Sequence, residues 1–344
     1  MFVRNSWYVA AWSDEIEPGK LLGRTLLGDA VLLYRGESGR LAALEDRCCH
    51  RGLPLSLGSV QGDRVQCGYH GLVFDACGTC VKVPGQERVP PKARVKHYEV
   101  IEQDHLVWIW MGDAASADQA LVPSHPWHGD PAWGWVKDRY LVRANYQLIT
   151  DNLMDLTHVG YVHTKTIGGT PQAHSEAEMK VEATERGIKV SRFMPDSVPP
   201  PSYTAFHTFA TERVDRWMEI EFFPPVTVRV HTGAVDTGTG AREGNRSGGF
   251  AFMGLNVQTP ETESTTHYFW SGARTQKRDN PVDAVQMLKN LATTFAEDKF
   301  IIEAQQISLD RKPEPLVMIA NDAGTARSRR LVTALLEAEG QAIR

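Results

Sequence analysis

One stretch in the middle of the sequence combines side chains that bind metals and transfer protons in many proteins. Asn152, Asp155 and His158 follow one another at steps of three, so on a helix they would share one face. The apolar residues around them are Leu148, Ile149, Leu153, Met154, Leu156, Val159 and Val162. The segment is therefore predicted to be buried, and a buried polar row needs hydrogen-bond partners or a metal. His163 lies about 140° round an ideal helix from His158, so we expect a break at Gly160 if both imidazoles bind one ion.

A single buried histidine is more often a hydrogen-bonded core residue than a ligand, so a metal site needs a third donor. A second long helix is predicted near the C-terminus. Asn280 is its N-cap, Pro281 takes the first helical position and Asp283 completes a capping box. Asp298 falls on the apolar stripe of this helix. The stripe consists of Ala284, Leu288, Leu291, Phe295 and Ile302.

A carboxylate that faces the core must be paired, protonated or bound to a metal. The nearby carboxylates of Glu297 and Glu303 fall off the stripe and are predicted to be solvated. We therefore expect His158, His163 and Asp298 to bind one metal ion. Two histidines and one carboxylate leave open coordination positions on iron, which is the geometry of non-haem Fe(II) oxygenases.

The cysteines are concentrated in one short segment of the chain. They are Cys48, Cys49, Cys67, Cys77 and Cys80. A secreted disulfide framework is usually even in number and spread out, so the cluster indicates metal binding in a reducing compartment. Cys49 is interpreted as a packed free thiol. The C-x-x-C pair of Cys77 and Cys80 is interpreted as a turn with two incidental thiols, because the βαβ setting of a redox motif is absent.

Two turns in this segment each offer one thiolate and one imidazole. Cys48 and His50 form C-x-H, and after sixteen intervening residues Cys67 and His70 form C-x-x-H. Tetrahedral zinc accepts two cysteines and two histidines, but zinc knuckles usually pair cysteine with cysteine. Mixed turns suit a Rieske [2Fe–2S] cluster, in which two thiolates bind one iron and two imidazoles bind the other. The pattern favours the Rieske cluster and leaves zinc as the alternative.

Length and composition indicate two domains in a chain of 344 residues. Short apolar runs separated by turn signals predict an all-β domain at 1–113. A second domain is predicted at 114–344, with strands from about 178 to 275 before the long helix, so the fold class is α+β. The net charge of −5 without a basic run argues against nucleic acid and anionic membranes as partners. No signal peptide or spanning segment is visible, and a cytoplasmic location is expected.

The sequence resembles, over essentially its whole length, the oxygenase component of Rieske non-haem iron oxygenases. The two cysteine–histidine turns, the stretch 152–163 and the Glu-Asp-Lys at 297–299 carry the resemblance. Within the family it is most similar to the short, single-subunit monooxygenases related to vanillate O-demethylase and toluenesulfonate methyl-monooxygenase. The segments that match the vanillate enzymes are 151–158, 259–261 and 320–324. The segment 231–241 is closer to the sulfonate enzyme, and Asn256 stands where dicamba demethylase would have a histidine that contacts substrate.

The resemblance implies a helix-grip (START-like) catalytic domain, in which an antiparallel sheet wraps round a long C-terminal helix, and a head-to-tail homotrimer. The cluster of one subunit would then lie beside the iron of the next. Asp155 and Asn152 become the candidate catalytic residues, with Asp155 bridging His70 of the neighbouring subunit and His158 of its own chain. The glycines at 237–240 do not fit G-x-G-x-x-G, so electrons are expected from a separate NAD(P)H-dependent reductase.

The resemblance implies that a small aromatic acid is oxidised with O2. The expected reaction is hydroxylation or O-demethylation of a vanillate-like methoxybenzoate. The alternatives are methyl hydroxylation of an aryl sulfonate such as p-toluenesulfonate, and dihydroxylation of an aromatic carboxylate. The anion of the substrate would need cationic or neutral donors, for which the candidates are Arg143, Arg229, His231 and Asn256, although each could equally be a surface or strand-pairing residue. A pure Rieske electron carrier and a zinc-ribbon binding protein remain open, but both leave His158, His163 and Asp298 unexplained.

Overall fold

The computed structural model describes residues 1–164, 166–168, 170–276 and 279–340. The chain divides into two compact units, Met1–Ser124 with Thr259–Glu263, and His125–Gln258 with Ser264–Arg344. The first unit continues past Asp113, where the sequence suggested a boundary, because the 3-10 turns that follow pack back on it. The Trp7 indole, for example, donates a hydrogen bond to the Asp118 carbonyl oxygen (2.8 Å). No helix in the part of the chain that the structure describes combines the length and the hydrophobicity needed to cross a bilayer.

The first unit is built from short antiparallel strands. They are β1 Trp7–Trp12, β2 Leu21–Leu26, β3 Asp29–Arg35, β4 Leu41–Glu45, β5 Ser59–Gln61, β6 Arg64–Gln66, β7 Val73–Phe74, β8 Cys80–Lys82, β9 His97–Tyr98, β10 Val100–Gln103 and β11 Leu106–Trp110. The sheets have the orders β1-β11-β10, β2-β3-β4-β9 and β5-β6-β7-β8. Strands β1 and β11 are buried along their whole length, as expected of apolar runs covered on both faces.

The second unit contains one long antiparallel sheet with the order β12-β18-β17-β16-β15-β14-β13. Its strands are β12 Gly134–Val142, β13 Glu178–Ala183, β14 Ile188–Ser197, β15 Val214–Phe223, β16 Thr227–Asp236, β17 Phe250–Thr262 and β18 Thr265–Arg274. Its helices are α1 Tyr146–Met154, α2 Val159–Val162, α3 Pro171–Ser175, α4 Pro201–Thr204, α5 Pro281–Arg311 and α6 Ala323–Ala338. The antiparallel sheet with a long C-terminal helix confirms the α+β expectation, whereas β12 was missed by the sequence reading.

Helix α5 packs on the sheet through aromatic contacts. The Phe295 ring lies 5.6 Å from the Tyr268 ring and 4.8 Å from the Trp270 ring, between centroids. The helix begins as predicted at Asn280, but the Asn280 side chain accepts its capping hydrogen bond from the Val282 amide (3.0 Å) rather than from Asp283. The buried residues of the helix are Met287, Thr294, Asp298 and Ile302.

Candidate metal centres and substrate cavity

The segment that carries the first two candidate ligands is not one continuous helix. Helix α1 ends at Met154, Asp155 adopts an extended conformation (φ −119°, ψ 96°), and a 3-10 turn precedes α2. The helix therefore breaks at Asp155, five residues before the break expected at Gly160. The cause is local, because the Asp155 carboxylate accepts hydrogen bonds from the Thr157 amide and hydroxyl (both 3.0 Å) and so caps the next turn.

Gly160 has a different role from the one expected of it. It lies inside α2, where an added Cβ would be only 2.5 Å from the Cα of Pro171 at the start of α3. The glycine thus allows the two short helices to touch. The helix break at Asp155 and the packing of α2 on α3 at Gly160 together fix the position of residues 158–163.

His158, His163 and Asp298 lie together in the second unit. Asp298 Oδ1 is 3.1 Å from His163 Nε2 and 3.4 Å from His158 Nε2, and the three donor atoms all lie within 4.8 Å of one another. His163 and Asp298 are buried, and His158 is half-buried. Two imidazoles and one carboxylate that converge in this way fit the donor set of a mononuclear non-haem iron site with open positions.

Each imidazole is held by a hydrogen bond on its far side. His158 Nδ1 donates to the main-chain oxygen of Asp155 (2.7 Å), and His163 Nδ1 donates to Glu297 Oε2 (2.8 Å). Because Nδ1 carries the proton in each ring, both Nε2 atoms are left facing Asp298. Metal-binding histidines are usually oriented by such a hydrogen bond from the other ring nitrogen. Glu297 was predicted to be solvated, but it is half-buried and accepts a hydrogen bond from His163. Periodicity on the helix places it about 100° from Asp298 and cannot reveal His163 as its partner.

The two candidate catalytic residues have different surroundings. Asn152 Nδ2 donates to Asp298 Oδ1 (3.1 Å), so its amide contacts the triad directly. The Asp155 carboxylate instead faces Thr157 and the buried Arg192, whose Nη2 is 3.5 Å away. Within the chain, His158 is thus bound by the main chain of Asp155 and not by its carboxylate.

Burial and charge oppose each other at the triad. Burial by itself would raise the pKa of Asp298, but hydrogen bonds with His158 and His163 hold that pKa well below its usual range. Burial would lower the pKa of His163, but Asp298 and Glu297 outweigh this effect and raise it. The carboxylate is therefore ionised, the state in which it can bind a metal.

Two loops of the first unit present the cysteine–histidine turns with the same main-chain geometry. The Cys48 amide donates to the Leu53 oxygen, and the Cys67 amide donates to the Leu72 oxygen (both 2.8 Å). Amides four residues beyond each cysteine donate back to the cysteine oxygens, from Gly52 (2.9 Å) and from Gly71 (3.1 Å). Both glycines have positive φ (72° and 69°), a conformation that other residues rarely adopt.

The side chains of these loops divide by depth. Cys48 and Cys67 belong to the apolar core of the unit, at 3% and 2% exposure, whereas His50 and His70 are exposed with their rings 4.6 Å apart. Burial raises the pKa of the Cys48 thiol to about 11, and Cys67 beside it adds to the rise, so a thiolate here requires a bound metal. Two adjacent sulfurs inside and two adjacent imidazoles outside fit the ligand set of a Rieske cluster.

Comparison with known families supports both centres. Residues 142–338 match the model of the vanillate O-demethylase oxygenase C-terminal domain, and residues 6–99 match the Rieske [2Fe-2S] domain. The chain belongs to the Rieske oxygenase family. The resemblance found in the sequence is thereby confirmed.

Relatives match this Rieske oxygenase over nearly its whole length. It is 42% identical over 342 residues to the iron-sulfur subunit of a toluene-4-sulfonate monooxygenase system of Comamonas testosteroni, which covers 98% of each chain. It is 36% identical to a vanillate O-demethylase oxygenase subunit of Pseudomonas sp. (strain HR199 / DSM 7063), over 99% of this chain and 97% of the relative. A crystal structure of dicamba monooxygenase bound to 3,6 dichlorosalicylic acid superposes with a TM-score of 0.90 at 33% identity, covering 99% of each chain.

The family identifies the cofactors. Rieske oxygenases of this kind carry a [2Fe–2S] cluster and a mononuclear non-haem iron, use O2 and work with a separate reductase on aromatic substrates. The cysteine–histidine turns and the His-His-Asp triad described above fit these two groups. The expected oxygenase activity is therefore confirmed at the level of the family, and a zinc-ribbon protein or a pure electron carrier is excluded.

A cavity of about 230 Å³ in the second unit of the Rieske oxygenase reaches the triad. Its lining is mainly apolar and includes Leu153, Leu156, Val159, Tyr203, Phe206, Met218, Val230, Phe250, Phe252, Leu291 and Phe295. Of the candidate substrate residues, Asn256 lines it, and its Oδ1 accepts a hydrogen bond from the Tyr268 hydroxyl (2.6 Å). A mainly apolar pocket beside the triad is the site where an aromatic ring fits.

The other substrate candidates belong to other surroundings. On β16, Arg229 pairs with Glu221 (3.6 Å) and His231 pairs with Glu219 (3.1 Å), on the face opposite the cavity. Strand side chains alternate between faces, so Val230 and Thr232, rather than their neighbours, line the cavity. The Arg143 side chain is exposed, and the Arg143 amide donates to Glu303 Oε1 (2.8 Å).

Two cavity residues were missed in the sequence. Arg216 and Arg274 both line the pocket, and both are almost completely buried. The signal for Arg216 was available, because it shares the period-two face of β15 with Met218 and Ile220, which are apolar. An arginine on such a face, like an aspartate on an apolar helix stripe, is a charge directed into the core and needs a partner or a ligand.

Proposed function

We propose that the protein is the oxygenase component of a monooxygenase that oxidises the methyl or methoxy carbon of a small aromatic acid. The observation that carries this proposal is the apolar cavity of about 230 Å³ lined at one end by His158, His163 and Asp298. The named substrates of relatives, toluene-4-sulfonate and vanillate, support an aromatic acid. The higher identity to the sulfonate enzyme, 42% against 36%, favours methyl hydroxylation of an aryl sulfonate over demethylation of a methoxybenzoate.

The proposal gives each group of residues a task. His158, His163 and Asp298 hold the iron, while Cys48, His50, Cys67 and His70 hold the cluster. The bound iron and cluster supply O2 activation and electron transfer. The overall reaction inserts one oxygen atom of O2 into a C–H bond and reduces the other to water, with two electrons from NADH through the reductase.

The surrounding side chains orient and protect the site. Glu297 and the Asp155 main chain fix the two imidazoles, and Asn152 fixes the Asp298 carboxylate. The mainly apolar lining of the cavity favours an aromatic ring as its occupant.

The assembly and location of the protein also belong to this proposal. A head-to-tail homotrimer would bring His70 of a neighbouring subunit to Asp155. The exposure of His50 and His70 supports this arrangement, because exposed cluster ligands are accessible to another subunit. A cytoplasmic location is supported by clustered cysteines that would bind a metal in a reducing compartment.

Product analysis tests the proposal. Holoenzyme with a suitable reductase and NADH is expected to convert toluene-4-sulfonate to the benzylic alcohol, or a methoxybenzoate to the phenol with formaldehyde. His158→Ala is the control, since it should keep the cluster absorbance and lose the product. A diol product would favour the dihydroxylation alternative. Holoenzyme that consumes NADH with every tested aromatic acid but releases no oxidised product would contradict the proposal.

A further inference from the structure

Two arginines in the cavity form no salt bridge with any described carboxylate, although the Asp283 charge acts on Arg274 from a longer distance. Arg216 on β15 is 1% exposed and Arg274 at the end of β18 is 2% exposed. Among the described residues, Arg216 Nε and Arg274 Nη1 have no hydrogen-bond partner, and Arg274 Nε donates to the Met287 sulfur (3.2 Å). Within the described residues neither guanidinium lies at salt-bridge distance from a carboxylate. A buried charge in this state is costly unless something compensates for it.

Aromatic rings hold both guanidinium groups in place. Arg216 Cζ lies 5.3 Å from the centre of the Tyr203 ring, and Arg274 Cζ lies 4.1 Å from the centre of the Phe206 ring. Both rings belong to one buried apolar cluster, which also contains Met287. Such contact with the face of a ring orients the planar group and leaves its N–H edge available to a ligand. The edge of a guanidinium matches two oxygens of a carboxylate or a sulfonate.

The arginines lie at the end of the cavity away from the triad. Helix α5 lines the cavity from Met287, which touches Arg274, to Asp298 in the triad. At 1.5 Å per residue these two positions are about 16 Å apart along the helix axis. An anion held at the arginines is therefore remote from the triad.

From this geometry we infer that Arg216 and Arg274 form the anion-binding end of the cavity. They select an aromatic sulfonate or carboxylate whose charged group lies at the opposite end of the molecule from the carbon that is oxidised. A para-substituted ring or a longer aromatic acid meets this requirement, and an ortho-substituted ring does not. The inference rests on the proposed function and specifies the substrate class of that site.

Binding measurements on the anaerobic holoenzyme test the inference without turnover. Toluene-4-sulfonate and 4-methoxybenzoate are the anionic probes, and 4-methylphenyl methyl sulfone is the neutral one. Arg216→Met and Arg274→Met should each weaken binding of an anionic probe by about 10- to 100-fold in Kd, the loss of one charge-assisted contact. Binding of the sulfone should be unchanged. Comparison of the two anionic probes shows whether the site takes sulfonates, carboxylates or both.

The chain offers a matched control for the arginine variants. Arg246 also lies over an aromatic ring, with Cζ 4.4 Å from the centre of the Trp217 ring, but its guanidinium pairs with Glu219 (2.8 Å) and it does not line the cavity. Arg246→Met should leave the Kd values of all probes within about twofold, which is well below the effect of losing a charged contact. Arg216→Lys, which keeps the charge but loses the planar fork, should fall between wild type and Arg216→Met.

Thermal unfolding separates a binding role from a structural one. Removal of an unpaired buried charge should leave the Tm of the ligand-free variants unchanged or higher. Toluene-4-sulfonate should raise the Tm of wild type but not that of the variants. In wild type, toluene-2-sulfonate should bind at least about tenfold more weakly than the 4-isomer, by the loss of one charged contact.

Each outcome bears on a different statement. Variants that bind anionic probes as tightly as wild type, or that lose the neutral sulfone equally, would overturn the role of the arginines. Equal binding of the 2- and 4-isomers would overturn the orientation. If wild type oxidises an aromatic acid in either case, the proposed function stands and only this inference fails. If wild type neither binds nor oxidises any aromatic acid, both fail.

Discussion

Replacement of Glu297 tests how the iron site is held. His163 is 1% exposed, and its Nδ1 donates to Glu297 over 2.8 Å. Loss of such a second partner typically costs 10- to 100-fold in metal affinity, or about 1.4–2.7 kcal/mol. Glu297→Ala should show this full loss, because it leaves a buried N–H group without an acceptor. Glu297→Gln keeps an oxygen acceptor but loses the charge, so we expect roughly half of that free energy.

The assay is the affinity for Fe(II), measured by competition with a chelator, beside turnover. The cluster loops belong to the other unit, so the visible absorbance of the cluster should not change and reports intact protein. Glu303→Ala is the matched control, since Glu303 lies on the same helix but accepts from the Arg143 amide (2.8 Å) and not from the triad. Glu297→Ala protein that binds iron as tightly as wild type would refute the reasoning.

Three further changes have defined outcomes. Asp155→Asn should keep both metal centres, measured as iron and acid-labile sulfide per chain. Its turnover should fall by more than about tenfold, as on removal of a group needed in the reaction. Undiminished NADH-driven turnover would contradict the bridging role. Gly160→Ala should lower the free energy of unfolding by about 1–3 kcal/mol in urea titrations, because the added Cβ would lie 2.5 Å from the Cα of Pro171. An unchanged urea midpoint would show instead that α3 moves away without cost. A hydrogen bond from His231, with further stabilisation by Arg246, holds the pKa of Glu219 well below its usual 4.5. The stability from this group is present above about pH 4.5 and lost as pH falls through the lower folded-state pKa, so the Tm deficit of Glu219→Gln should be present at pH 8 and shrink as the pH is lowered below about 4.5.

The sequence reading located the residues whose polarity conflicts with their apolar surroundings. Asp298 on a helix stripe and His158 in an apolar segment are conspicuous in one dimension, and the structure brings them together with His163. Strand positions were also predictable, because β14 to β18 alternate or run apolar over many residues. Features that depend on tertiary contact were not predictable. Glu297 appeared solvated because its partner is 134 residues away in sequence.

Two differences between the sequence-based expectations and the structure have local physical causes. The helix break was assigned to Gly160, the residue of lowest helix propensity, but a side-chain cap at Asp155 competes with the helix earlier. Arg229 and His231, the sequence candidates for substrate contact, lie one position away from the strand residues that line the cavity, because strand side chains alternate between faces. In both cases the sequence identified the residue types involved. It did not identify where the helix ends or which face of the strand points into the cavity.

The two faces of β15 and β16 have separate roles: one holds charged cross-strand pairs and the other lines the cavity. On one face, Glu219 is directly opposite His231 and Glu221 directly opposite Arg229, so charged pairs pin the alignment of the strands. On the other face, Val230 lines the cavity and takes no part in these charged pairs. Substitutions at Val230 can therefore reshape what the pocket accepts while the charged pairs that align the strands stay in place. The same independence gives evolution a route by which related enzymes diverge in substrate while keeping one scaffold.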